Sequence, residues 1–248
     1  MMQVEDVTVK FGGLTAVNKA SLHVKKGSIT GLIGPNGAGK TTLFSVASGF
    51  IKPSTGAIRY KGEDVTRLPT HLRARLGIGR TFQIVQPFAG LSTLENIVVG
   101  AFLRHERRED AENLARDVAR RVGLEKDMDR PASGLTVSGR KRLELARALA
   151  TEPELLLLDE VLAGLNPSEI RDIIPVVRDI RDSGITILMI EHVMQAVVSL
   201  CDHVYVLAQG QVIAEGTPAQ VTSNTQVIEA YLGQGAAGRL AKKETQHA

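Results

Sequence analysis

Residues Gly34-Pro35-Asn36-Gly37-Ala38-Gly39-Lys40-Thr41 carry glycines, a lysine and a hydroxyl at the spacing G-x-x-x-x-G-K-[ST], with Thr42 next in the chain. That spacing makes a phosphate cradle. The glycines let the backbone wrap an anion closely, and the loop N–H groups and the positive end of the next helix face it. Lys40 is expected to reach the β- and γ-phosphate oxygens, and the Thr41 hydroxyl to take a position on a magnesium ion. A second chemical cluster is Asp159-Glu160, two carboxylates at the end of the apolar run Leu155 to Leu158. A buried strand ending there presents Asp159 at the edge of the sheet where ligands bind in open α/β folds. Asp159 is expected to hold Mg²⁺ and Glu160 to polarise an attacking water, a role worth about 10²–10⁴ in rate. Together these residues predict a site that binds a nucleoside triphosphate.

The elements that must position them are legible in the hydrophobic pattern. Ile29 to Ile33 reads as a strand leading into the loop, and Thr42-Leu43-Phe44 as the start of a helix. Val7, Val9 and Phe11 alternate as in a strand, as do Leu22 and Val24, and Ala57 to Tyr60 comes after the turn Lys52 to Gly56. From Ser92 the period becomes helical. Ser92-Thr93-Leu94-Glu95 is a capping box, Ala111, Leu114, Ala115, Val118 and Val122 form one face, and Leu143, Ala146, Leu149 and Ala150 form another. Thr186 to Ile190 is a second continuous apolar run of the kind buried on both faces of a parallel sheet. Asn166 and Pro167 open an amphipathic helix with Ile170, Ile173, Ile174, Val177 and Ile180 on one face. Val204 to Leu207 and Val212 to Ala214 read as a hairpin around Gln209-Gly210. The expected fold is α/β: a P-loop nucleotide-binding core with a mixed sheet, an N-terminal antiparallel β subdomain and a helical subdomain insertion.

Composition narrows the function. The 248 residues carry 30 Lys and Arg against 27 Asp and Glu, and aromatics are 4% with no Trp, so the basic stripe with interleaved aromatics of a nucleic-acid binder is missing. No apolar run approaches the roughly 18 residues of a membrane-spanning helix. Met1 to Lys10 lacks the apolar centre of a signal peptide, and the single cysteine, Cys201, fits a reducing compartment and reads as core filling. Between Arg104 and Arg121 the charges are mixed, with Glu112–Arg116 and Asp117–Arg121 at i,i+4, which predicts a solvated helix face.

The order of these motifs resembles the ATP-binding cassette of an ABC transporter over nearly the whole chain. It runs from Phe11 and the P-loop through Gln83 in Arg80-Thr81-Phe82-Gln83 to a signature segment, Asp159-Glu160, Gly164-Leu165-Asn166 and His192 in Ile190-Glu191-His192. The resemblance implies that Phe11 stacks on adenine, a reading favoured over that of a strand residue packed in the core. It implies that Gln83 senses Mg²⁺ and the attacking water and links to the membrane partner, and that His192 contacts the γ-phosphate. Arg80 to Gln83, Gly164 to Pro167, Gly216-Thr217-Pro218 and the ending Val227 to Gly233 are similar to ATP-binding subunits of branched-chain amino acid importers. This resemblance implies ATP hydrolysis with Mg²⁺, a second cassette subunit as partner in a homo- or heterodimer, two transmembrane permease subunits and, indirectly, a periplasmic solute-binding protein. The implied location is peripheral, on the cytoplasmic face of the inner membrane. A low-turnover, nucleotide-gated dimerisation module and a lipopolysaccharide-export cassette are the alternatives. The cassette is expected over 1–233, with its core at about 1–82 and 152–216, a helical subdomain at 83–151 and an extension at 217–233, ahead of a disordered tail at 234–248.

The signature departs from the family pattern Leu-Ser-Gly-Gly-Gln, reading Leu135-Thr136-Val137-Ser138-Gly139. Thr136 keeps the hydroxyl implied to touch the γ-phosphate held by a partner cassette, whereas Ser138 replaces a glycine and Gly139 the glutamine. Val161 stands where Pro is usual, and Val193 where Asp is common. An asymmetric dimer, with the slower site completed by this segment, is the expectation.

Overall fold

A computed structural model describes residues 1–83 and 86–232, so the tail expected to be disordered lies outside the described residues. Two sheets organise it. Strands β1 (Met2–Phe11), β2 (Leu14–Val24), β4 (Thr55–Tyr60) and β5 (Glu63–Asp64) make an antiparallel sheet in the order β2-β1-β4-β5. Strands β3 (Ile29–Ile33), β6 (Ile78–Arg80), β7 (Leu155–Asp159), β8 (Thr186–Ile190), β9 (His203–Ala208) and β10 (Gln211–Gly216) make the second sheet. Its order is β10-β9-β3-β8-β7-β6, parallel except for β10 on β9.

The apolar runs of β3, β7 and β8 are buried at every position, as continuous hydrophobic strands of a covered parallel sheet must be. Alternate residues face opposite layers. Leu155 and Leu157 join a core between the two sheets with Phe44 and Leu32, and Leu156 and Leu158 join a core under the helices. Among the described residues three α-helices lie between β6 and β7 in sequence: α3 (Thr93–Ala101), α4 (Arg108–Arg121) and α5 (Val137–Leu149). The others are α1 (Lys40–Ala47), α2 (Thr70–Arg75), α6 (Pro167–Asp182), α7 (Met194–Leu200), α8 (Pro218–Thr222) and α9 (Thr225–Leu232). The fold is therefore the expected one, α/β with a mixed sheet, an antiparallel N-terminal sheet and helices inserted between strands.

Caps begin the helices where local chemistry requires them. Ser92 and Glu95 exchange the two hydrogen bonds of a capping box on α3, and Asn166 and Glu169 do the same on α6, with Pro167 at the first helical position. Burial on α6 tracks the predicted face, with Ile173, Val177 and Ile180 inside and Ile170 and Ile174 partly covered.

Two sequence expectations are corrected. On α4 the ion pairs form differently: Glu112 pairs back to Arg108, Asp117 forward to Arg120, and Arg121 reaches Asp179 on α6 at 2.8 Å. Phe11 does not share the buried face of Val7 and Val9. Register shifts in the β1–β2 ladder between Val7 and Val9, and again between Val9 and Lys10, turn the end of the strand. Phe11 then lies beside the Gly12-Gly13 turn, 50% exposed.

Arg73 of α2 ties the P-loop helix to the antiparallel sheet. Its buried guanidinium donates to the carbonyls of Val46 and Ala47 at the end of α1 and of Val65 and Thr66 beyond β5. Carbonyls at a helix end lose the donor four residues on, and Arg73 supplies a replacement.

Candidate active site

The P-loop crosses from the end of β3 to the start of α1. At Gly34 and Gly39 both backbone angle and space require glycine: their φ angles are 148° and 101°. A Cβ on Gly34 would stand 1.9 Å from the Leu207 carbonyl oxygen, and one on Gly39 would stand 2.4 Å from that of Ala16. The loop is pinned from beneath as well, since Gly210 N–H donates to the Ala38 carbonyl at 3.0 Å and Asn18 N–H to the Gly210 carbonyl at 2.8 Å.

Lys40 is buried and folds back over the loop, its ammonium donating to the carbonyls of Gly34 at 2.8 Å and Pro35 at 2.9 Å. Burial lowers its pKa from the usual lysine range, while the nearby carboxylates of Glu160 and Asp159 act in the opposite direction. Above the loop opens a cavity of about 1100 Å³. Phe11, Asn36, Gly37, Ala38, Gly39, Lys40, Thr41, Thr42, Gln83, Glu160 and His192 all line it. Gly34 and Pro35 contribute their carbonyls to Lys40 rather than surface to the cavity.

At the far wall three side chains meet. Glu160 Oε1 is 2.7 Å from His192 Nε2, and Glu160 Oε2 accepts from Gln83 Nε2 at 2.6 Å. Glu160 comes directly after β7 and has a φ of 50°, a left-handed conformation that a side chain other than glycine rarely adopts. Its backbone is held on both sides: its N–H donates to the Ile190 carbonyl at 3.0 Å, and its own carbonyl accepts from Lys141 Nζ at 2.9 Å. A strained residue this firmly held, with its carboxylate gripped at both oxygens, is the mark of a preorganised chemical group.

Asp159, the last residue of β7, is 2% exposed. Its backbone N–H donates to Thr81 Oγ1 at 3.0 Å and its Oδ2 accepts from Arg80 Nη2 at 2.9 Å, but its buried Oδ1 has no partner among the described residues. Burial pushes its carboxyl pKa up, and the Arg80 guanidinium opposes that shift. A lone carboxylate oxygen left unpaired in the interior fits a hard divalent cation, bound directly or through water. Next to His192, Glu191 is 1% exposed, and its Oε1 accepts from Leu162 N–H at 3.0 Å.

Thr136 and Ser138 do not line this cavity. Thr136 caps α5 by accepting from Gly139 N–H at 3.1 Å, and both Thr136 and Val137 are exposed. The same helix reaches the far wall of the cavity with side chains that sequence reasoning passed over. Lys141 donates to the Gln83 carbonyl at 3.2 Å as well as to that of Glu160, and Glu144 accepts from Phe82 N–H at 3.2 Å. Lys141 stands out in the sequence only as part of a basic run, Arg140 to Arg142. Its spacing within a helix gives no sign that it faces inward between two loops.

Comparison with known proteins agrees with this geometry. The sequence profile of the family described as ABC transporter matches residues 17–163, and that of a branched-chain amino acid ATP-binding cassette transporter matches residues 211–237. The chain is 40% identical to the high-affinity branched-chain amino acid transport ATP-binding protein BraF of Pseudomonas aeruginosa, over 94% of this chain and 98% of BraF. It is 39% identical to the corresponding protein LivG of Escherichia coli, over the same shares of each chain. A crystal structure of an ABC transporter's ATP-binding cassette in its ADP conformation superposes with a TM-score of 0.85 at 33% identity, covering 94% of this chain and 99% of that one. With a family profile matched over more than half of its length and relatives 39% and 40% identical over 94% of it, this chain belongs to the ABC transporter family as one of its ATP-binding ATPase cassettes.

Proposed function

We propose that this chain is the ATP-hydrolysing subunit of an importer for branched-chain amino acids or a related small polar solute. The observation that carries the reading is Glu160, held between Gln83 and His192 on the wall of the P-loop cavity. ATP lies with its adenine against Phe11 and its phosphates along residues 34–42, where the loop N–H groups and the Lys40 ammonium take the β- and γ-phosphate charge. To do so Lys40 exchanges its bonds to the Gly34 and Pro35 carbonyls for phosphate oxygens. Glu160 accepts the proton of the attacking water through one oxygen. Gln83 orients that water, and His192 donates to the γ-phosphate as charge builds there.

Magnesium fits the same residues. Thr41 through its hydroxyl, Gln83 and the unpaired Oδ1 of Asp159 would hold it, and when bound it neutralises charge on the β- and γ-phosphate oxygens.

A cassette of this type closes its site with a second cassette, so the nucleotide held here meets a partner's signature, and Thr136 and Ser138 meet the partner's nucleotide. Their position away from this cavity suits that division. Beside Gln83, a groove of about 240 Å³ is lined by Phe50, Phe82, Val99 and Arg147, with both phenylalanines about half exposed. One of the two permease subunits docks there, fed by a periplasmic binding protein, which puts the cassette on the cytoplasmic face of the inner membrane. Among the described residues no helix is long and apolar enough to cross a membrane. Within the chain, 1–82 with 152–216 forms the catalytic core, 83–151 the helical subdomain and 217–233 an extension.

The test is reconstitution with the partner cassette and permease subunits in vesicles. ATP-dependent leucine uptake together with phosphate release supports the reading. Phosphate release without uptake of any branched-chain amino acid would remove the substrate assignment, and dimerisation with ATP but negligible phosphate release would leave a nucleotide-gated module.

A further inference from the structure

Arg80, the last residue of β6, has no part in the steps above, yet it sits behind the carboxylate pair with both terminal nitrogens engaged, while its buried Nε has no partner among the described residues. Its side chain is 9% exposed. Nη2 donates to Asp159 Oδ2 at 2.9 Å, and Nη1 donates to Ser48 Oγ at 2.7 Å and Ser45 Oγ at 3.3 Å, so the guanidinium bridges β7 and the P-loop helix α1. Aromatic rings surround it, with centroids at 5.7 Å for Phe44 and 5.3 Å for both Phe50 and Phe82. The rings' negative faces attract the cation and block its movement, while the two serines fix its rotation.

The consequence falls on Asp159. A carboxylate at a strand end rotates freely unless one oxygen is engaged. Here Oδ2 is engaged and Oδ1 is buried without a partner among the described residues. We propose that Arg80 is the positioning residue of the metal site: it locks the Asp159 carboxylate so that Oδ1 alone is offered to the divalent cation. This rests on the reading that Asp159 holds the magnesium of MgATP. Arg80 itself touches neither nucleotide nor metal. A purely structural arginine would leave the response to cation unchanged once the protein had folded.

Titration of the full-length chain with a fluorescent ATP analogue separates these roles, first in EDTA and then with increasing Mg²⁺. Arg80→Met keeps an unbranched apolar stem as far as the position of Nε but removes the guanidinium and so frees Asp159. Affinity in EDTA should stay within about twofold of wild type, while half-saturation by Mg²⁺ rises about tenfold, the size expected when the residue orienting a metal ligand is lost. Arg80→Lys keeps the charge, but one ammonium cannot serve Asp159, Ser48 and the rings together, so half-saturation should rise about threefold. If Arg80→Met does not fold, Arg80→Lys carries the test alone. Asp159→Asn is the control for the underlying site and should raise Mg²⁺ half-saturation by more than either. If Asp159→Asn disturbs the Mg²⁺ response and the folded Arg80 variants match wild type, the positioning role is wrong and the site stands. If Asp159→Asn has no effect, the site assignment fails and takes the inference with it.

Discussion

His192 Nε2 lies 2.7 Å from Glu160 Oε1, joining the segment after β8 to the residue after β7 across the mouth of the P-loop cavity. The bond is possible because both strands are parallel and in register, with Asp159 opposite Ile190, so Glu160 and His192 emerge at the same sheet edge. His192→Ala removes the group proposed to donate to the γ-phosphate and also releases one oxygen of Glu160. Turnover should fall by about 10²-fold or more, with ATP affinity changed by less than about threefold. A parallel loss of affinity and turnover would instead make His192 a binding residue.

Lys40 is the point charge proposed to meet the phosphates, and its ammonium already sits within 2.9 Å of two loop carbonyls. Lys40→Ala should abolish nucleotide binding as read by direct titration, because the loop loses both that charge and an internal brace. ATP affinity retained within about threefold would contradict the assignment.

Glu191 makes stability depend on pH. Burial pushes its carboxyl up to about 7 and the charge of Glu160 adds to the rise, whereas the backbone N–H groups of Leu162 and His192 and the charge of Lys141 oppose it. A folded-state pKa above the unfolded value means that the native state holds the proton more tightly. This group's stabilisation is therefore full below about 4.5 and is lost as pH rises through about 7. The loss is on the order of 3 kcal/mol. Glu191→Gln, which mimics the protonated form, should flatten the fall in urea-unfolding free energy between about pH 5 and pH 8. Curves for the two proteins that stay parallel across that range would refute the role given to Glu191.

The segment Leu135 to Gly139 predicts unequal sites. Thr136 retains a hydroxyl, but its oxygen is engaged in capping α5, and Ser138 brings a side chain where the family has glycine. In a dimer with a different cassette, the ATP held by this chain's P-loop should hydrolyse at least about threefold faster than the ATP facing Thr136 and Ser138. Single-turnover hydrolysis with each subunit's glutamate replaced in turn measures both rates, and equal rates contradict the prediction.

Much of this architecture could be read from local signals. The P-loop spacing, the apolar runs of β3, β7 and β8, and the capping residues Ser92, Asn166 and Pro167 act over a few neighbouring positions, and the structure uses each of them. What escaped is long-range. Short β6 and α2 carry too few residues for a period to emerge. Arg80 is 79 residues from Asp159, and Lys141 is 58 from Gln83, so neither contact leaves a pattern in the sequence. Phe11 shows the same limit from the other side. Its alternation with Val7 and Val9 is real, but register shifts against β2 decide which way it faces.

Glu160 is proposed as the base that activates water. Glu160→Gln keeps the size of the side chain and a carbonyl oxygen to accept from Gln83, but it cannot take the proton. Phosphate release and light scattering of the cassette pair in MgATP test it together. Turnover should drop by about 10²–10⁴-fold, and the dimer should persist with ATP bound. Turnover within about threefold of wild type, with no persistent dimer, would contradict it.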